Sequence, residues 1–350
     1  MSHVGRVLLF FAIGVPLCAA DVSNAEFPAW HHGPLTVKPS GYLDVIGMSR
    51  SATTADSVST HFGNIPLTDT PGETVASLAH SRLMLRSDYD FASGAARLTT
   101  YIETDFLNPQ ANSAPWRWRQ YWASVRMGRW ELLGGQGWSL LRENRAGIRS
   151  DRDLMNTLVI DPAYHAGIAG ARRRQVRATY RAGKQTAAVA WQNNGDFEGK
   201  WSLDGTAGHF ETAALAGHGG RRALQVSGLG HLGDRFRVVA QQYLARRALN
   251  EALSLVSNGI SGLATLEGVE WQTTKKLEWY SYAGLVRSER SAGNRLVRQY
   301  TSGFNWRSPE PSLRGTVTLS LQYSYVDRAL WDGRSGGMHF LMYRMRFAIP

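Results

Sequence analysis

Between residues 82 and 177, seven arginines (Arg82, Arg86, Arg97, Arg117, Arg119, Arg173 and Arg177) sit on the polar side of segments that alternate apolar and polar residues. Arginine carries a permanent charge on a planar fork of donors that matches carboxylate and phosphate. A row of them on one wall of an aqueous path concentrates anions and penalises cations. Glu103, Asp105, Asp88 and Asp90 share that polar side, so the same residues could form opposed charge ladders or wall-stiffening ion pairs, and outward-facing arginines could bind lipid phosphates. A second set, Arg142, Arg145, Arg149 and Arg152 with Glu143, Asp151 and Asp153, lies in residues 141–170, the longest stretch in which alternation breaks.

Other chemistry is poorly represented. Gly228-x-Gly230-x-x-Gly233 has the spacing of a dinucleotide loop, yet a strand-like segment follows where a phosphate-binding helix should begin, so a hairpin turn is expected. Gly333-Arg334-Ser335-Gly336-Gly337 has the spacing of a nucleophile elbow but sits between two strand-like segments, and it also reads as a turn. His31-His32 has no third ligand at metal-binding spacing. Cys18 is the one cysteine. Ser81 beside His80 is the one local hint of a nucleophile and base. No cofactor, metal site or catalytic residue is expected.

The elements that must position these residues are strands. In Thr316 to Tyr325, Val317, Leu319, Leu321, Tyr323 and Tyr325 alternate with Thr316, Thr318, Ser320, Gln322 and Ser324, a two-faced strand long enough to cross a bilayer. Similar segments recur: near Tyr42, Ser81 to Phe91, Arg97 to Phe106, Trp118 to Met127, Trp130 to Trp138, Arg174 to Tyr180, Thr186 to Gln192 and Phe210 to Ala216. They continue at Ala223 to Gly228, Phe236 to Tyr243, Leu266 to Trp271, Leu277 to Leu285, Arg298 to Trp306 and Met338 to Phe347. Short turns such as Met127-Gly128-Arg129 and Arg181-Ala182-Gly183-Lys184 contrast with long polar loops, the asymmetry of an outer-membrane barrel. Trp116, Trp118, Tyr121 and Trp122, and Trp271, Trp279, Tyr280 and Tyr282, are expected in interfacial girdles. The fold class expected is all-β: a transmembrane antiparallel β-barrel of about 16 strands, within 14 to 18.

Residues 1–20 read as a secretory signal, with Arg6 ahead of the apolar run Val7 to Leu17 and small residues before a cut at Asp21. Removing them takes the formal charge from +11 to +10, and of 39 basic residues only Lys38, Lys184, Lys200, Lys275 and Lys276 are lysines. After the first twenty residues no uncharged apolar run is long enough for a spanning helix. Export and the lack of a recognition motif exclude nucleic acid as a partner. Residues 21–40 are expected to be a periplasmic linker, 41–350 the barrel, and 141–170 a loop folded into the lumen.

Several motifs, in order, resemble the DcaP-like trimeric porins of Gram-negative outer membranes. They are Gly41-Tyr42-Leu43-Asp44 within Pro28 to Ile46, His61-Phe62-Gly63-Asn64-Ile65-Pro66 and Ala79-His80-Ser81-Arg82-Leu83. Tyr101-Ile102-Glu103-Thr104-Asp105-Phe106, Leu133-Gly134-Gly135-Gln136-Gly137-Trp138-Ser139 and Arg174-Gln175-Val176-Arg177-Ala178-Thr179-Tyr180 complete the run, which covers roughly Phe27 to Tyr180. The final strand resembles a barrel-assembly signal, although Ala348-Ile349-Pro350 follow Phe347, and the family's N-terminal coiled coil has no counterpart. The resemblance implies an outer-membrane diffusion channel for small hydrophilic solutes, favouring anions such as dicarboxylates, with lipid and lipopolysaccharide around it and a homotrimeric state. The alternative weighed is an outer-membrane barrel enzyme of lipase or protease type.

Overall fold

The structure, a computed structural model, describes residues 29–54, 56–91, 94–107, 116–150, 157–161, 165–251, 259–289, 293–308 and 316–349. Residues 1–20, and with them the signal segment, lie outside these. The chain forms β1 (Trp30–His32), β2 (Leu35–Arg50), β3 (Glu73–Ser77), β4 (Arg82–Asp90), β5 (Ala96–Asp105), β6 (Arg117–Met127), β7 (Trp130–Trp138), β8 (Arg172–Ala182) and β9 (Gln185–Gln192). It continues with β10 (Phe197–Gly205), β11 (Gly208–Gly217), β12 (Arg221–Leu232), β13 (Phe236–Arg246), β14 (Gly262–Gln272), β15 (Leu277–Ser288), β16 (Asn294–Arg307), β17 (Thr316–Leu330) and β18 (Ser335–Ile349).

Sixteen of these are staves of one closed antiparallel barrel, β2 and β4 to β18, each paired with its sequence neighbour and β18 paired back onto β2 through Ile349↔Gly41 to Phe340↔Arg50. β1 and β3 are short flanking pieces on β2. Closure leaves no free sheet edge, which a lipid-embedded sheet requires. One end carries the tight connections, including Gly128 and Gly183 at positive φ, and the other carries the long segments after β2, β7 and β13.

Alternation decides which side chains meet lipid. On β9 the residues alternate strictly, with Val189 and Trp191 outward and Ala188, Ala190 and Gln192 inward. On β12, Leu224 and Val226 face out while Gln225 and Ser227 face in. Val189→Arg places a charge near the middle of the apolar band, and the expected cost is about 2 to 4 kcal/mol of barrel stability. The check is the urea midpoint of the refolded barrel in detergent or lipid, and a wild-type midpoint would contradict a lipid-facing outer wall.

Three expectations are corrected. The segment 21–40 is not a linker throughout, because β2 begins at Leu35, where Leu35 and Val37 alternate with Thr36 and Lys38 against β4. Pro39, which has no N–H to donate, lies between the part of β2 that pairs β1 and the part that pairs β18. β10 has no counterpart among the sequence-read strands. Trp122, Tyr280 and Tyr282 do not belong to an interfacial girdle: they point inward, Trp122 stacking on Tyr101 at 5.3 Å between ring centres. Outward aromatic pairs do mark the tight-turn end, Phe236 with Trp271 and Trp130 with Tyr180.

Candidate functional site

The first and last staves meet at the barrel seam, and there the interior wall becomes dense in charge. Arg346 on β18 bonds Asp44 on β2 at 2.5 Å and lies over the Tyr42 ring at 3.9 Å, with Arg82 of β4 over the same ring at 5.4 Å. Arg82 reaches Glu103 at 3.3 Å, and Arg119 bridges Glu103 at 2.5 Å and Asp105 at 2.7 Å. Arg117 grips Asp105 with two parallel bonds of 2.9 and 2.6 Å. A bulge at Arg119 on β6, opposite Glu103 and Thr104, makes this possible, because it turns both Arg119 and Gln120 inward. Tyr101 and Gln120 donate to the remaining Glu103 oxygen. Arg344 sits 3.9 Å from Asp44, and Arg172, beside this group, stacks on Trp138.

Six arginines (82, 117, 119, 172, 344 and 346) therefore face three carboxylates (Asp44, Glu103 and Asp105). The excess is positive. Arg119 is nearly sealed, whereas the Arg117 and Arg346 side chains keep 31% and 26% of their accessible surface.

The segment between β7 and β8 is folded inside the barrel. Its first part is held on β10, β11 and β14: Leu140 N–H donates to Glu198, Asn144 N–H to Glu211, Gly147 N–H to Asp204, and Arg145 clasps Glu270 at 2.9 and 2.5 Å. Its later part lies on β15 to β18, where Leu158 N–H donates to the Tyr282 hydroxyl, Ile160 N–H to Gln322 and Ala166 N–H to Gln299, and Arg344 donates to the Ile160 carbonyl. Two glycines allow backbone to lie on backbone: a Cβ on Gly284 would overlap the Ala166 carbonyl, and one on Gly167 the Thr265 carbonyl. The acid anchors on β10, β11 and β14 lie across the strand order from the arginine wall of β2, β4, β5 and β6, whereas the Arg344 anchor on β18 belongs to the seam itself.

The sequence-read residues divide as follows. Arg82, Glu103, Asp105, Arg117 and Arg119 come together. Arg86 pairs with Asp88 on its own strand, and Arg97 pairs with Asp90 at the tight-turn rim, exposed, away from the cluster. Arg173 reaches outside it too, to Glu251 at 2.5 Å, and Arg177 is buried on β8. In the inner loop, Arg142 stacks on Trp138 at 4.8 Å and donates to Ala169, Arg145 is the Glu270 clasp, Arg149 is exposed, and Arg152 lies outside the described residues together with Asp151 and Asp153. Tyr42, Asp44, Arg172, Arg344 and Arg346 were not singled out. Arg344 and Arg346 had a signal in the polar parity of the last strand, but their partner Asp44 lies some three hundred residues away.

The hint at His80 and Ser81 dissolves: the Ser81 hydroxyl is buried and accepts the Asp44 N–H. His80 faces Asp161 of the inner loop at 3.3 Å instead. Gly228 and Gly230 lie within β12 and Gly233 turns the hairpin at φ 73°, so that pattern is a turn. Among the described residues no group of His, Cys, Asp and Glu is arranged to hold a metal.

Glu143, in the inner loop, has its carboxyl pushed up to about 7 by burial, against the pull of Arg142, with Glu211 adding to the rise and Lys200 opposing it. Because the folded value is above the ordinary carboxylate value, this group's contribution is complete below that ordinary range and is lost as pH rises through about 7. Loop anchoring should therefore weaken with rising pH, seen as more frequent conductance fluctuations, and Glu143→Gln should remove that step. A step that persists in the variant assigns it to another group.

No protein-family model matches this sequence, and no curated protein matches it. Solved structures do match in shape. The outer membrane channel DcaP of Acinetobacter baumannii superposes with a TM-score of 0.76 at 16% identity, covering 93% of this chain and 100% of that one. In-vitro folded OmpT, an outer membrane protein of Vibrio cholerae, gives 0.64 at 11% identity over 91% and 99% of the two chains. An anion-selective porin from Comamonas acidovorans gives 0.60 at 13% identity over 90% and 99%. The chain has the closed, 16-strand transmembrane barrel fold of the porins of Gram-negative outer membranes.

Proposed function

We propose that this protein is an outer-membrane porin through which small hydrophilic solutes diffuse passively, with a preference for anions and for dicarboxylates among them. The observation that carries the preference is the excess of arginine over carboxylate on the seam wall, with Arg117 and Arg346 partly accessible from the lumen. A dicarboxylate can bridge two guanidinium groups without either losing its wall partner, since each fork has more donors than its present bonds use. The inner loop narrows the path and drives solutes toward that wall. Diffusion needs no catalytic residue and no cofactor.

The likeness to DcaP and the motifs of residues 27–180 support placing the chain with the DcaP-like porins, and assembly as a homotrimer rests on the same motifs. Residues 1–20 are read as the export signal. The test is the swelling of liposomes that carry the mature protein, comparing succinate with a diamine and a neutral diol of matched length. Faster entry of the dicarboxylate is expected, and equal rates for all three would contradict the preference.

A further inference from the structure

On the outer wall, near the end with long loops, Arg222 of β12 and Arg246 of β13 stand directly opposite each other in the strand pairing. Both are exposed, and neither has an acidic partner among the described residues. Arg287 of β15 is a third of this kind. The three stand at one height, each ten residues along its strand from the tight-turn end, at Leu232, Phe236 and Leu277 respectively. At the rise and tilt of barrel strands that is about 25 Å, the far edge of the apolar band.

Several other exposed arginines are held by acids, Arg97 by Asp90, Arg298 by Asp327, Arg307 by Glu278 and Arg334 by Asp332, and Arg174 and Arg126 bond the Tyr121 hydroxyl and the Gly128 carbonyl. The carboxylate nearest along the strand, Glu289 two residues beyond Arg287, accepts the Ser261 N–H. Like charges directly opposite each other in a ladder repel, so the Arg222 and Arg246 pair is a place where an anion between the two relieves strain. Immediately below it on the same face, Leu224 and Leu244 are also directly paired and about half exposed, flanked by Ala214 and by Val226. Cationic forks at the edge of the band and apolar side chains beneath them match an amphiphile with a phosphorylated headgroup and acyl chains.

We propose that Arg222, Arg246 and Arg287 form a binding site for a phosphorylated outer-leaflet glycolipid, its phosphate held between Arg222 and Arg246 and its acyl chains lying on Leu224 and Leu244. This site is on the outer wall and is independent of the selectivity assigned to the lumen.

The test titrates detergent-purified mature protein with bis-phosphorylated lipid A and follows binding by native mass spectrometry. Arg222→Gln with Arg246→Gln should weaken binding at least about tenfold, which corresponds to roughly 1.4 kcal/mol. Lipid A stripped of both phosphates should bind the wild type comparably weakly, and inorganic phosphate should not displace the lipid. Arg334→Gln, at the same end but paired, should bind as wild type does. Unchanged affinity in the double variant, equal binding of the dephosphorylated lipid, or displacement by inorganic phosphate would each overturn the proposal. The dephosphorylated arm needs no variant and holds even where a substitution impairs folding.

Discussion

Replacing Arg117 and Arg346 together by Ser is expected to move the reversal potential under a salt gradient from the anion side toward zero. The seam wall carries six guanidinium groups against Asp44, Glu103 and Asp105, a surplus of three, and the double variant leaves a surplus of one. Charges about 6 Å from a solute in water contribute roughly 0.7 kcal/mol each, about threefold in local anion concentration. Losing two should therefore cost about tenfold in local anion concentration and, because cations gain by the same factor, about a hundredfold in anion over cation preference. Each acid keeps a guanidinium, Asp105 through Arg119 and Asp44 through Arg344, so the wall itself should hold. An unchanged potential would reduce this cluster to wall ion pairs.

Gly284→Val is expected to narrow the channel. Gly284 faces inward on β15, and the Ala166 carbonyl of the inner loop rests where a side chain would begin. The loop cannot keep its hydrogen bonds from Ala166 N–H to Gln299 and from the Thr301 hydroxyl to His165 while a valine occupies that place. Overpacking of this kind costs about 1 to 3 kcal/mol, and here the loop can move into the lumen while the barrel stays closed. Single-channel conductance should change in size and become noisier, with the unfolding midpoint of the barrel little altered. Gly199→Val, on the lipid face where a Cβ meets open space, should change neither. Wild-type conductance in Gly284→Val would mean that the loop does not set the width of the path.

How much of this was legible follows from where each residue's partners lie. β17 could be read almost residue by residue from Thr316 to Tyr325, because there its apolar outer face meets lipid and its polar inner face meets the lumen. The tight turns were equally plain, with Gly128 and Gly183 at positive φ. β10 was hidden because its inner face is charged and its interior holds Gly199. Glu198 is buried there with the distant Leu140 N–H donating to it, and Lys200 with its ammonium donating to the Arg142 carbonyl and paired with Glu211. Parity placed Arg82, Glu103, Asp105, Arg117 and Arg119 on one side of their strands, which is as far as a local pattern reaches. It could not bring in Arg344 and Arg346, which join the cluster through the closure of β18 on β2, nor show that Arg97 stops at the rim with Asp90. The inward turn of Tyr280 and Tyr282 was a matter of parity, since they share a face with the inward Glu278 rather than with the outward Leu277, whereas Trp122 has the same parity as the outward Trp118 and turns inward through the bulge at Arg119.

The central claim is that an arginine-rich seam wall makes this barrel an anion-preferring channel. It is tested most directly by the reversal potential of the purified mature protein in a planar bilayer under a potassium chloride gradient. The account predicts discrete conductance steps with a potential of the sign set by chloride. Steps reversing at zero or on the potassium side, or no steps from folded protein, would contradict it.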